Sequence, residues 1–189
     1  MKDSGATYDP TPSVWEGQAQ LAAGQTDLLD RSLLQQAVAP ALLTSTRAFV
    51  RAGTAADAGR AAALRQLLQL EAGNLQRAYQ AGVTLVTGSG AGNPLILHGP
   101  TVQHELQLWV AAGIPAAVAL RAATFNAARL LHADSRIGLV VKGHDADLLV
   151  IDGNPLTDIS TTERISLIVF KGERIRRAAL FTEGQVATQ

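Results

Sequence analysis

The residues able to do chemistry in this chain gather around one loop. Residues 83–94 read Val-Thr-Leu-Val-Thr-Gly-Ser-Gly-Ala-Gly-Asn-Pro. Positions 83–86 are β-branched or apolar and predict a buried strand. Gly88, Gly90 and Gly92 then allow sharp turns and close backbone approach. In α/β folds the loop at the carboxyl end of a strand is where sites are built. Two chemistries suggest themselves and neither matches well. A phosphate cradle requires Gly-x-Gly-x-x-Gly followed at once by a helix, and here residues 93–100 intervene. A nucleophile elbow around Ser89 requires glycine two residues before and two after, and those positions hold Thr87 and Ala91. A tight turn after the strand is the better reading, with Ser89 bonding backbone or solvent.

Histidine and carboxylate pairs add little by themselves. His104 and Glu105 are adjacent on a helix whose apolar stripe is Val102, Leu106, Trp109 and Val110. Adjacent helical residues do not face one site. The stripe predicts His104 towards solvent and Glu105 bonding nearby backbone. His98 stands alone in a loop, and a metal needs several convergent ligands. His132 and His144 fall in turns, and Asp147 and Asp152 read as turn and hydrogen-bonding residues.

The elements that must hold this loop follow from periodicity. Pro10 and Pro12 disfavour helix, so residues 6–14 predict a short strand or edge segment. Asp27 caps a helix carrying Leu28, Leu29, Leu33, Leu34 and Val38, and Pro40 restarts it towards Val50. Residues 51–53 read as a turn. Thr54, with Asp57 three residues on, reads as the start of an alanine-rich helix with Leu64, Leu67, Leu68 and Leu75 on one face. Gly82 ends that helix and the strand begins at once. Thr101 caps the next helix, Gly113 ends it, and Pro115 opens another, interrupted near Thr124 and Asn126. Beyond Arg136, residues 137–141, 148–151 and 165–170 are short apolar runs between Gly143, Gly153 and Gly172 and predict strands. The polar tail, residues 181–189, predicts fraying.

Composition excludes several classes. The chain has 189 residues, with 47% hydrophobic and 17% charged. Lys+Arg and Asp+Glu balance at 16 each, and aromatics are 4%, so neither a nucleic-acid footprint nor a base-stacking platform is indicated. Absence of cysteine excludes disulfides, thiolate metal sites and cysteine nucleophiles. The opening residues Met1 to Tyr8 hold no apolar run and are not expected to be a signal peptide, and no run reaches the roughly 20 apolar residues of a membrane helix. The default expectation is a cytoplasmic protein that binds no membrane.

From Ala81 to Arg174 the chain resembles the C-terminal part of metal-dependent amidohydrolases, in the imidazolonepropionase-like and prolidase-like branch. The resemblance rests on Ala81-Gly-Val, the run from Thr87 to Pro94, and His98-Gly-Pro followed by His104-Glu-Leu. It continues through Ala112-Gly-Ile-Pro to Ala128, then Ala146-Asp-Leu-Leu-Val-Ile-Asp152, Asn154-Pro-Leu156 and Ile168-Val-Phe-Lys-Gly172. Tyr8-Asp-Pro-Thr-Pro-Ser13 looks like the family's penultimate barrel strand. The order and spacing make these pieces specific together.

The resemblance implies an α/β fold. The last strands and helices of a (β/α)8 TIM barrel would occupy residues 1–132. Short strands of a small β-sandwich would follow over residues 133–180. A whole barrel needs eight strands and about 250 residues, so the chain reads as the end of something larger, with a missing N-terminal half or self-association as the consequence. The implied chemistry is hydrolysis of an amide or cyclic amide C–N bond in a small molecule, with a divalent metal such as zinc activating water. Ser89, Asn93 and His98 become the substrate-loop candidates. Two departures matter. The family's His-x-His and further upstream ligands are absent, since no histidine precedes His98. The last strand of the family ends in Gly-Thr-Asp-Ala-Gly or similar, whose aspartate binds metal, and here Gly90 stands in its place. The chain alone is therefore expected to be inactive, leaving a non-catalytic interaction module or half of a split hydrolase as the alternative. A small phosphate-binding protein is a third reading, carried only by the loop.

Overall fold

A computed structural model describes residues 1–53 and 56–176. It is an α/β fold rich in helices and poor in strands. Strand β1 (Thr7–Tyr8) pairs in parallel with β2 (Thr84–Leu85), with Thr7 opposite Thr84 and Tyr8 opposite Leu85. Between them run α1 (Pro12–Ala22), a 3-10 turn (Asp27–Asp30), α2 (Ser32–Ala37), α3 (Pro40–Gly53) and α4 (Ala58–Gln80). After β2 come α5 (Thr101–Ala111), α6 (Ala116–Arg121), a π-helical turn (Ala122–Asn126) and α7 (Ala127–Leu130). The chain then forms an antiparallel sheet of β3 (Leu148–Ile151), β4 (Ile165–Phe170) and β5 (Glu173–Ile175) in the order β3-β4-β5.

Several local expectations need correction. Of residues 6–14, expected to be extended, Thr7–Tyr8 form β1 as expected, but residues 12–14 open helix α1. Pro12 is its first residue, where the missing N–H costs nothing and the fixed φ suits the helix. Asp27 opens a 3-10 turn with no side-chain cap, and Ser32, after the extended Arg31, starts α2. Residues 51–53 continue α3 rather than turning. Thr54 lies outside the described residues. The cap of α4 is Asp57, whose Oδ1 accepts from Arg60 N–H at 2.9 Å. Thr101 is the first residue of α5, not its cap, and its hydroxyl donates back to the Leu97 carbonyl. The interruption expected near Thr124 and Asn126 is the π-helical turn, from which Asn126 donates to the Leu85 carbonyl at 2.8 Å. Residues 137–141 form no strand. A Cβ at Gly138 would sit 2.6 Å from the Ala128 Cβ, so the chain turns tightly against α7 there, at φ 92°. The frayed tail expected over residues 181–189 lies outside the described residues.

Two apolar clusters flank the glycine loop. Leu28, Leu29, Leu34, Val38, Leu43 and Val50 enclose Leu95 and Ile96, the far limb of the loop. Leu85 of β2 packs with Leu75, Leu106, Trp109, Ile114 and Ile159. The loop is thus pinned from both sides by buried aliphatic side chains. The leucine stripes are only partly core: Leu42, Phe49, Leu67 and Leu70 are exposed on α3 and α4. Among the described residues no helix is long and apolar enough to cross a membrane.

Candidate functional site

The carboxyl ends of β1 and β2 lie side by side, because the strands are parallel and in register. What each contributes follows from the next few residues. After β1 the chain reads Asp9-Pro10-Thr11 before entering α1. Thr11 is in the left-handed region at φ 43°, a conformation that a β-branched residue adopts only when its surroundings enforce it. Asp9 helps enforce it. Its carboxylate accepts from the Gly88 N–H at 3.0 Å and from the Thr11 backbone, joining the two strand ends. Desolvation pushes the Asp9 carboxyl above its ordinary value, and these backbone donors pull against that. A Cβ on Gly88 would overlap Asp9 Oδ2, so this close approach requires glycine.

Gly90, at the apex, adopts φ 58°. A Cβ there would overlap the Val14 Cγ2 methyl, which α1 presents from its first turn. Valine therefore occupies the space a side chain at position 90 would use. The loop then closes on itself. Asn93 Nδ2 donates to the Gly90 carbonyl at 2.8 Å, and Gly92 N–H donates to the Ile96 carbonyl at 2.9 Å. Asn93 is an exposed brace of the turn, and His98 is exposed further along. Ser89 is half-buried, and its carbonyl accepts from Ser13 Oγ at 3.1 Å. Of the three substrate-loop candidates, then, Ser89 and Asn93 share the turn, and His98 joins neither through the hydrogen bonds of that turn.

Behind the loop lies a polar layer that the sequence reading misplaced. Glu105 is fully buried in α5. Its Oε2 accepts from Ser13 N–H at 3.0 Å and its Oε1 from Trp109 Nε1 at 2.9 Å. It does bond backbone, but on α1, far away in sequence. Desolvation pushes its carboxyl up to about 7, against the lowering effect of the Ser13 and Trp109 donors. His104 does not face solvent as expected. It faces α1 and hydrogen-bonds Glu16 through Nε2, leaving Nδ1 buried with no partner. The missing α1 explains both corrections, because that helix covers the side of α5 taken to be open. Thr87 Oγ1 at the end of β2 is likewise buried with no partner.

The other titratable candidates lie elsewhere. His144 Nε2 meets the Asp134 carbonyl at 3.1 Å, and Asp147 accepts from the Lys171 N–H at 2.7 Å. His132 sits in a turn at φ 54°. Tyr8, whose hydroxyl donates to Glu71 at 2.8 Å, is pushed up to about 12 by desolvation and that bond. Among the described residues no group of three or more His, Cys, Asp or Glu side chains is placed to hold a metal ion. The donors at the strand ends amount to Asp9, which is already engaged by two backbone N–H groups, with Gly90 supplying no side chain. This set does not fit a catalytic metal.

The comparisons match this architecture. Among solved structures, a Xaa-Pro dipeptidase with methionine bound in its active site is 24% identical, with a TM-score of 0.62 over 92% of this chain and 35% of that one. Phenylurea hydrolase B is 27% identical, with a TM-score of 0.54 over 59% of this chain and 28% of that one. An ochratoxinase from A. niger is 24% identical, with a TM-score of 0.59 over 91% of this chain and 32% of that one. This chain thus spans about a third of the length of these structures. No curated protein matches the chain. The sequence model of the amidohydrolase family matches residues 26–175, which include α2 to α7 and all three strands of the antiparallel sheet. With that match running through β2, its glycine loop and the helices behind it, the chain belongs to the amidohydrolase family.

Proposed function

We propose that this chain carries the last two strand ends of an amidohydrolase barrel without its hydrolytic centre. The parent activity is hydrolysis of a C–N bond in a small molecule, of the amide or cyclic amide kind. A dipeptidase and a phenylurea hydrolase among the neighbours support that bond type. The observation that carries the inactivity of this chain is the pairing of Gly90 with Val14. The family's metal-binding aspartate position holds no side chain, and a methyl group fills the space beside it. Restoring Gly90→Asp alone is therefore not expected to rebuild a ligand. Metal dependence belongs to the family, with zinc as the expected ion, and this chain is not expected to bind it alone. On this reading residues 1–132 form the barrel portion, and residues 133–180 belong to a small β-sandwich. The test is hydrolysis of Xaa-Pro dipeptides and phenylureas by the purified chain, with zinc supplied. Turnover no higher than in the metal-only control is expected. Turnover that chelation abolishes would overturn the proposal.

A second reading is favoured by the small sheet. Parallel sheets are normally covered on both faces and built from more strands, whereas β1 and β2 pair only with each other among the described residues. Exposed Leu149, Val150 and Phe170 add apolar surface on the antiparallel sheet. These features suit half of a split hydrolase, or a module that associates with itself. Light scattering of the purified chain tests this, and a compact monomer that takes up no second polypeptide on co-expression would remove it.

A further inference from the structure

One side chain closes the edge along which the two-stranded sheet would grow. In a parallel pair, alternate residues of a strand turn their backbone groups towards the partner. Val86 N–H donates to the Tyr8 carbonyl at 3.0 Å, and Tyr8 lies opposite Leu85, so Thr84 and Val86 face β1. Leu85 therefore turns its N–H and carbonyl to the outer edge of β2. There its carbonyl accepts from Asn126 Nδ2 at 2.8 Å. We propose that Asn126 guards this edge: its amide stands where the N–H of a neighbouring strand would, and keeps β2 of a second copy of this chain from pairing there.

Burial makes the guard necessary. Leu85 is 2% exposed, so water has little access to its carbonyl, and a buried carbonyl without a donor is costly. An unguarded strand edge is a template for another chain. A two-fold axis beside Leu85 would supply the missing donors by pairing β2 with its own copy, antiparallel. Residues 83–86, Val-Thr-Leu-Val, have the β-branched and apolar character that such pairing favours. Net charge does not oppose it, since Lys+Arg and Asp+Glu balance at 16 each. Asparagine fits the task because its amide donates and carries no charge, whereas an ionised aspartate only accepts.

The turn that carries Asn126 is anchored independently of that bond. Ala122, at the other end of the π-helical turn, is fully buried in one apolar cluster with Leu85. Gly138 passes so close that a Cβ there would lie 3.1 Å from the Phe125 Cα. Replacing the Asn126 side chain therefore opens the edge without removing the packing of the turn. The guard rests on the pairing of β1 with β2 and requires neither hydrolysis nor a second half of a barrel. Any self-association of the unmodified chain lies away from this edge.

The experiment compares the full chain with Asn126→Ala and Asn126→Asp by sedimentation velocity over a concentration series, with hydrogen exchange read at the Leu85 amide. Asn126→Ala opens the edge and should associate at about tenfold lower concentration than the unmodified chain. Its Leu85 amide should exchange more slowly in the associated form, because strand pairing engages that N–H. Asn126→Asp loses the same bond but leaves a charge on the edge, and should not gain the association. In the unmodified chain, Leu85 exchange should not change with concentration. An Ala variant that sediments like the unmodified chain, or associates without protecting the Leu85 amide, would overturn the guard. Equal association of the Ala and Asp variants would also overturn it, since lost stability rather than an open edge would then drive pairing. An unmodified chain that stays monomeric at every concentration removes the self-association reading alone, and the guard then stands or falls with Asn126→Ala. If that variant does not fold, Asn126→Ser, whose hydroxyl is too short to reach the carbonyl, takes its place.

Discussion

At the end of β2 the loop offers little beyond backbone: Gly88, Ser89, Gly90 and Ala91, with Val14 packed where a side chain at position 90 would lie. One layer behind it, Glu105 has both oxygens bonded, and Ser13 ties α1 both to α5 and to the loop. The front is mostly backbone, with the Ser89 side chain and the braces Asp9 and Asn93 beside it. The back has the polar groups, spent on holding that backbone. The difference teaches that the framework of a site and its chemistry rest on different residues, so one can persist without the other. Deleting the back should cost stability, and refilling the front should cost less.

The largest effect is expected from Glu105→Leu. It leaves the Ser13 N–H and the Trp109 indole N–H buried without an acceptor, at about 1–3 kcal/mol each, for a total of about 4 kcal/mol. Urea denaturation near pH 6 reads it. A loss below about 1 kcal/mol would mean that the layer is not structural.

The pH dependence of stability comes next. Folding raises the Glu105 carboxyl from its ordinary 4.5 to about 7. The folded chain therefore holds the proton more tightly than the unfolded one. The resulting stabilisation is full below the ordinary value and is lost as pH rises through the folded value. The contribution is on the order of 3 kcal/mol. Denaturation at pH 5 and pH 8 should show the unmodified chain weaker at the higher pH, and Glu105→Gln should remove most of that difference. An unchanged slope in the variant would assign the dependence elsewhere.

Gly90→Ala probes the front. Its Cβ meets the Val14 methyl and takes a φ unfavourable for alanine, which together should cost about 2 kcal/mol. Combined with Val14→Ala, the cost should be smaller than the sum of the two single changes, and a double-mutant cycle reads that coupling. Strict additivity would break the claim that Val14 fills the space. The smallest effect is expected from Asn93→Ala, which loses one exposed bond to the Gly90 carbonyl, at about 0.5–1 kcal/mol.

Much of this arrangement was legible in the chain. The strand at Thr84–Leu85, the glycine loop and the β3 and β4 runs follow from apolar patterning and glycine placement, and the ordered motifs led to the family. The polar layer was not legible because it depends on α1. Two prolines within three residues suggested extended chain, although Pro12 followed by Ser13, Val14 and Trp15 also suits a first helical turn. Without α1, nothing in the sequence could pair Ser13 with Glu105 across 92 residues, or turn His104 from solvent towards Glu16. Val14 beside Gly90 is a tertiary contact of the same kind. Residues 137–141 misled because an apolar run does not reveal that Gly138 must pass close to α7.

The central proposal is that the end of β2 corresponds to the family's metal-binding strand end and lacks its ligand. Calorimetric titration of the purified full chain with zinc tests it most directly. The account predicts no stoichiometric binding at the strand ends. One-to-one zinc binding that Asp9→Asn abolishes, in a variant that still folds, would contradict it.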